Sequence, residues 1–415
     1  MRRLPAVLIG IALVASSCGG SSDVALAVDP PDDNEVGAAG DVADPVGFDY
    51  STIDYGAEPT GNALFGDRFN SNFPPPVVPI GEIMGGGPPP DGIPSIDVPE
   101  FVSVTDAESF MEADNEPIVA VTVNGVTKGY PIRIMTWHEI VNDSFATDAG
   151  DVPVTVTYCP LCNSALAYER RVGDRVLDFG TSGELYQSAM VMYDRQTQSL
   201  WSHFLGQGIV GHYAGLQLEF VPAQTLSWST FKEAFPEALV VDQAATGHDR
   251  RYGSNPYQGY DEETSGPFFP LTQEIDSRLL PKARVVGIRD GDNGVALELD
   301  VLAREGVVAV TTNGWNYVAF HQGGLVSSLD AGSINDGREV GQTGVFVAEA
   351  ADGTTLTFAA TDAGFVDDQT STTWSITGAA LDGPLAGEQL APLSHLDTFW
   401  FSWSIYQPNT TIYEQ

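Results

Sequence analysis

Basic residues are scarce in this chain: 18 Lys and Arg stand against 56 Asp and Glu, a formal net charge of −38. A surface of that sign repels phosphate backbones, which excludes nucleic acid as a partner. It also excludes electrostatic docking on anionic lipid. Cysteine is scarcer still, with three in 415 residues, so no disulfide framework can organise the fold. Past residue 18, no segment offers roughly 20 uninterrupted apolar residues, and no membrane-spanning helix is expected there. No Gly-x-Ser-x-Gly elbow, Ser-His-Asp pattern or phosphate loop is recognisable. What is present is 43% hydrophobic and 10% aromatic content, enough for a real core in a chain long enough for two or three domains. The acidity reads as a solvated, self-repelling surface.

The N-terminus has the pattern of an export signal. Arg2 and Arg3 precede an apolar run from Leu4 to Val14 that is too short to cross a bilayer. Ala15, Ser16 and Ser17 then lead into Cys18, followed by Gly19 and Gly20. Small residues before a cysteine resemble a lipobox, so residues 1–18 are expected to be a lipoprotein signal peptide ending at a lipidated Cys18. The protein is then exported and anchored by that lipid to the outer face of the cell membrane. Residues 19–84 read as a low-complexity tether and irregular extension, rich in Ala, Gly, Asp and Pro.

From residue 85 the patterning is mainly β with a few short helices. Pro117 to Val123, the hairpin signal Asn124-Gly125 and Lys128 to Ile134 read as paired strands. Thr136 to Glu139 has capping-box spacing for a short helix through Val141, and Thr105 to Ala113 reads as another. Val152 to Tyr158 is a buried strand, and Ser227 to Phe235 is a helix stopped by Pro236. The order then repeats. Asp194, Gln196, Thr197 and Trp201 match Asp367, Gln369, Thr370 and Trp374 at identical spacing. Gly211, Ala214, Gly215 and Leu218 match Gly383, Ala386, Gly387 and Leu390, and Trp228 matches Trp400. The expected architecture is two tandem related β-rich lobes by internal duplication: 85–248, a linker at 249–283, and 284–415.

One copy alone carries chemistry. After the strand ending at Tyr158 come Cys159, Pro160, Leu161 and Cys162, whereas the strand ending near Phe320 and His321 is followed by a loop without cysteine. A Cys-Pro-x-Cys turn can aim both sulfurs at one metal ion, close a small disulfide, or serve thiol exchange. A ring that small would stabilise weakly as a disulfide. A metal site needs further ligands, and the candidates are His138, His203, Met190 and Met192, with His212 and Asp194 behind them. Two thiolates with imidazole and thioether favour copper, and two thiolates with histidine also accept zinc. Met190 and Met192 share one strand face, a pattern that equally suits core packing. Asp194 beside Arg195 at a turn suggests a local salt bridge. The segment from Arg250 to Tyr260 could line a pocket for an anion or simply pack between lobes.

The residues Thr136-Trp137-His138-Glu139-Ile140-Val141-Asn142-Asp143, Tyr158-Cys159-Pro160-Leu161-Cys162-Asn163-Ser164 and Val191-Met192-Tyr193-Asp194-Arg195-Gln196-Thr197 with Trp201 resemble the DUF3179 family of bacterial and archaeal proteins. Gly87 to Pro94 and Arg251 to Tyr257 resemble it too, so the likeness runs from about residue 85 to the end. Pro90 departs from it, standing where a lysine is expected. The resemblance implies exported or anchored proteins with this tandem arrangement, and no settled activity. Three functions follow as expectations: a binding protein with a thiol-based copper or zinc site at Cys159 and Cys162, an envelope thiol–disulfide oxidoreductase using the same pair, or a structural envelope protein with an inert disulfide.

The anchoring expectation is tested by Cys18→Ser. Radiolabelled lipid should no longer attach, and the chain should leave the membrane fraction or stall in processing. A variant that stays processed and membrane-bound overturns the lipoprotein reading.

Overall fold

The computed structural model describes residues 48–290, 293–312 and 314–413. Cys18 and residues 19–47 of the tether lie outside the described residues. The described chain falls within one compact unit and is mainly β, with short helices.

The first half begins with a hairpin, Pro117–Val123 against Val126–Pro131, turning at Asn124-Gly125 as its φ-positive pair allows. Helix Ile132–His138 follows at once, so the strand expected to run to Ile134 stops at Pro131. Ile132, Ile134, Met135 and His138 are all buried, and packing of this β-branched segment overrides its extended propensity. The capping box is not formed. Thr136 lies inside the helix, and Glu139 ends it in the left-handed conformation, φ 58°. The other short helix covers only Val104–Ala107, capped by Ser103, and not the expected 105–113.

Three strands carry the cysteine loop. Ile140–Thr147 pairs with Gly150–Cys159, which pairs with Ser164–Glu169. A second sheet orders Ile83–Gly85, Phe179–Tyr186, Ala189–Asp194, Leu200–Ser202 and Gln207–Val210. In the second half, Arg284–Asp290 pairs with Asn293–Glu298 and with His395–Phe399, and helix Leu299–Glu305 follows as Ile132–His138 does. A four-stranded sheet there orders Phe358–Thr361, Gly364–Asp367, Thr373–Trp374 and Ala380–Asp382.

Local hydrogen bonds in the two sheets correspond closely. Asp194 accepts from the Thr197 amide at 2.6 Å and the Trp201 indole at 2.9 Å. Asp367 accepts from the Thr370 amide at 2.5 Å and the Trp374 indole at 3.0 Å. Asp194 therefore does not pair with Arg195, which reaches back to Asp91 and Asp97 instead. The polar side chain is spent closing its own turn. Trp228 and Trp400 each begin a seven-residue helix. Each helix packs into the other half. Trp228 and Phe231 share a core with Phe320 and Trp374, and Trp400 and Trp403 share one with Trp201 and Phe204.

Asp194→Ala leaves a buried indole N–H and an amide N–H without acceptors. It is expected to lower unfolding free energy by about 2–4 kcal/mol. Asp367→Ala should behave alike, as read from urea denaturation of each variant.

Candidate metal centre

The strand Gly150–Cys159 delivers Cys159 at its end, opposite Ser164. Between them the chain turns through Pro160 to Asn163, with the Asn163 amide donating to Pro160 O at 3.2 Å. Asn163 takes φ 51°, a left-handed conformation that asparagine tolerates better than most residues. The turn folds Cys162 inward beside Cys159. Its outward carbonyls are held from the far half of the chain. Tyr260 donates its hydroxyl to Leu161 O at 2.8 Å, and Thr398 donates its hydroxyl to Cys162 O at 2.7 Å. The Phe399 amide joins Thr398 on Cys162 O at 3.2 Å.

Both cysteines are free thiols, which corrects the expectation of a disulfide. The two sulfurs differ. Burial pushes the Cys159 thiol up, but donation from the Cys162 thiol and from the Met190, Cys162 and Leu161 amides outweighs it and brings it below the usual cysteine range. Burial drives Cys162 far above that range, and its role as donor to Cys159 adds to the rise. The Cys162 sulfur also lies 3.0 Å from Ser164 Oγ.

His203 completes a group of three. One ligand atom from each of Cys159, Cys162 and His203 lies within 4.8 Å of the other two. The exposures are 1%, 0% and 0%, so no solvent reaches the cluster. His203 follows the strand Leu200–Ser202, and its backbone is fixed from both sides. Its amide donates to Met190 O at 3.1 Å, and its carbonyl accepts from the Tyr168 hydroxyl. Yet neither ring nitrogen has a hydrogen-bond partner among the described residues. A buried imidazole with nothing to bond is costly, by about 1–3 kcal/mol for each unsatisfied nitrogen. Burial, reinforced by the nearby Arg289 guanidinium, lowers its pKa to about 3 and keeps it neutral, the form that binds metals.

The remaining candidates separate. Met190 and Met192 lie in the same apolar cluster as the cysteines, and the Met190 amide is one of the donors to Cys159. His138 is not brought to the thiols, which corrects its place among the expected ligands. Its Nδ1 lies 2.7 Å from Pro94 O and its Nε2 2.7 Å from Tyr252 Oη, so both nitrogens are already used. His212 packs against Tyr213, with Nε2 3.4 Å from Tyr55 O. Asp194 is committed to its turn. The linker tyrosines pack between the halves: Tyr257 and Tyr260 are buried in the core around the cysteines.

Two residues at the site carried no assignment in the sequence. Glu139 was quoted only for its capping spacing. It is a buried carboxyl whose pKa is driven well up by burial and then by the Cys159 charge. Arg289 enters from the second half, where its Nη2 donates to Phe204 O at 2.5 Å. No local pattern marks it, because the contact exists only once the halves meet.

The family model described as protein of unknown function (DUF3179) matches residues 90–410. No curated protein and no solved structure matches the chain.

His203 is depressed from 6.5 to about 3, so the unfolded chain binds a proton there that the folded chain refuses. Its contribution to stability is complete above pH 6.5 and is lost as pH falls below it. Buried Glu139 runs in the opposite sense, so the effect is read by difference. The stability gap between wild type and His203→Leu should shift by about 1.2 kcal/mol between pH 6 and pH 5, at wild type's expense. Urea melts at the two values measure it, and a gap independent of pH would show that His203 is protonated in the fold.

Proposed function

The chain belongs to the DUF3179 family, and from its own geometry we propose that it is an exported, lipid-anchored metal-binding protein whose Cys159, Cys162 and His203 hold one thiophilic ion, copper or zinc. The observation that carries the reading is the pair of unpartnered ring nitrogens on fully buried His203, within 4.8 Å of two buried sulfurs. Ligand bonds to such an ion are roughly 2.0–2.3 Å long, which suits donors that lie within 4.8 Å of one another. Soft thiolates with one imidazole suit copper and zinc and disfavour hard ions such as magnesium or calcium.

The second half serves this reading as a scaffold. We read the matched Asp194–Trp201 and Asp367–Trp374 units as the products of a duplication. Two residues past each tryptophan stand His203 in one unit and Ile376 in the other. Opposite the tryptophans, Met192 in one is Phe365 in the other. Donor atoms are thus confined to the first half, and the second fills the same places with hydrocarbon. The oxidoreductase reading draws support from the unequal thiols, but attack on a protein disulfide needs an accessible thiolate, and both sulfurs are buried.

Protein prepared without oxygen and loaded with Cu(I) or Zn(II) should retain about one equivalent after desalting. Cys159→Ser, Cys162→Ser and His203→Ala should each lower retention at least about tenfold, and His138→Gln should not. Retention indifferent to His203→Ala overturns the proposed ligand set.

A further inference from the structure

Charge around the centre discriminates between the two metals. Two thiolates with a divalent ion sum to zero, whereas two thiolates with a monovalent ion leave −1. A buried net charge is expensive unless an opposite charge lies near it. Glu139 supplies no balancing charge, because a carboxyl is neutral or negative and never positive, and burial raises its pKa. The basic groups of the linker and nearby strand are engaged elsewhere. Arg284 pairs with Asp261, and Lys282 donates to Tyr260 O and Ser265 Oγ.

Arg289 is different. It is a partly buried guanidinium that forms no ion pair with any described carboxylate. Its contacts are the Phe204 carbonyl and two aromatic faces, with its carbon 5.3 Å from the Phe204 ring centre and 4.6 Å from that of Phe220. That carbonyl belongs to the residue after His203, and Tyr168, which packs on Phe220, bonds the carbonyl of His203 itself. The cation is therefore fixed against the segment that carries the imidazole ligand. It is held there by groups that neutralise none of its charge.

The donor count points the same way. Among the described residues, three side chains of the His, Cys, Asp and Glu types converge. Protein zinc sites are almost always four-coordinate, with water or substrate in any open position. A site with no solvent access does not readily supply one. Monovalent copper is content with two or three soft ligands, and Met190 and Met192 add polarisable sulfur to the surrounding cluster.

We propose that the centre is built for monovalent copper, with Arg289 of the second half providing the positive charge that balances a bis-thiolate, mono-imidazole copper(I) unit of charge −1. The inference rests on the metal-binding reading above. Loading forms two Cu–S bonds and one Cu–N bond. Any proton still on a thiol leaves to solvent, and copper stays monovalent throughout, so no oxidant or reductant takes part.

The test uses the full mature chain under anaerobic conditions. Cu(I) is titrated against bathocuproine disulfonate, and Zn(II) against a chromophoric zinc chelator. Wild type should hold Cu(I) with one nitrogen and two sulfur scatterers in its X-ray absorption spectrum, and should lose zinc to the chelator first. Arg289→Met should weaken Cu(I) binding at least about tenfold while leaving zinc unchanged or tighter. Arg289→Lys, which keeps the charge, should stay within about threefold of wild type for Cu(I). Equal loss of both metals in Arg289→Met, or no loss of copper, overturns the charge-balance role. A wild-type preference for zinc overturns the copper assignment even if the variant fails to fold. Neither metal bound by wild type defeats the metal-binding reading itself, a result distinct from the other two.

Discussion

The loop from Pro160 to Asn163 is held in place by hydrogen bonds that cross the molecule. Its carbonyls at Leu161 and Cys162 point away from the thiols and are taken up by Tyr260, Thr398 and Phe399. Without those donors, two carbonyls facing the protein interior would be unsatisfied, and the loop would turn them toward water. The cysteines would swing out with it. The linker and the strand His395–Phe399 thus decide where the sulfurs sit, although neither contributes a sulfur. His203 is fixed by the same logic. Tyr168 takes its carbonyl, and Arg289 takes the next one. A site of three donors from one half is made rigid by hydrogen bonds that extend into the other.

The charge of the chain has to be read at two scales. The net −38 is a surface property and governs solubility and encounter. Inside, several charges are paired. Lys128 meets both oxygens of Asp143 at 2.9–3.0 Å, with the Tyr130 hydroxyl adding a bond at 2.6 Å. Arg133 lies between Glu112 and Glu116. Of these residues, Asp143 belongs to the motif on which the family likeness rests, and its pairing with Lys128 gives it a structural role. Asp143 and Asn142 brace the strand beside the cysteine loop and leave the chemistry to others.

Local periodicity made the strand-rich fold and the hairpin at Asn124-Gly125 legible in the sequence. Pro117–Val123 and the Trp228 helix lie where pattern and capping residue put them. The failures share one cause. Ile132 to His138 was assigned partly to a strand because β-branched residues dominate its start, but packing on both faces made it helical. His138 looked like a ligand because sequence cannot show that Pro94 and Tyr252 already hold both its nitrogens. Arg289 left no trace, since its relation to His203 exists only across the two halves. What escapes a linear reading here is long-range partnership, and in this protein that is what separates a ligand from a packing residue.

The contrast between the halves bears on why His203 is present at all. At matched places the second half has Ile376 and Phe365, buried at 2% and 3%, and Phe365 stacks on Phe320 at 4.0 Å. Such a core meets the packing requirement without polar atoms, so hydrocarbon would serve there in the first half too. The first half instead buries an imidazole with two unsatisfied nitrogens beside two thiols, one raised and one lowered in pKa. Each of these features destabilises the metal-free fold relative to an isoleucine and a phenylalanine. Their penalties fall on side chains whose ligand atoms lie within 4.8 Å of one another, and a single coordinated ion engages both sulfurs and one of the two ring nitrogens. A redox pair would need the thiols but not the imidazole, and a packing role would need neither. Metal coordination is the one function among the three that uses both thiols and the imidazole together.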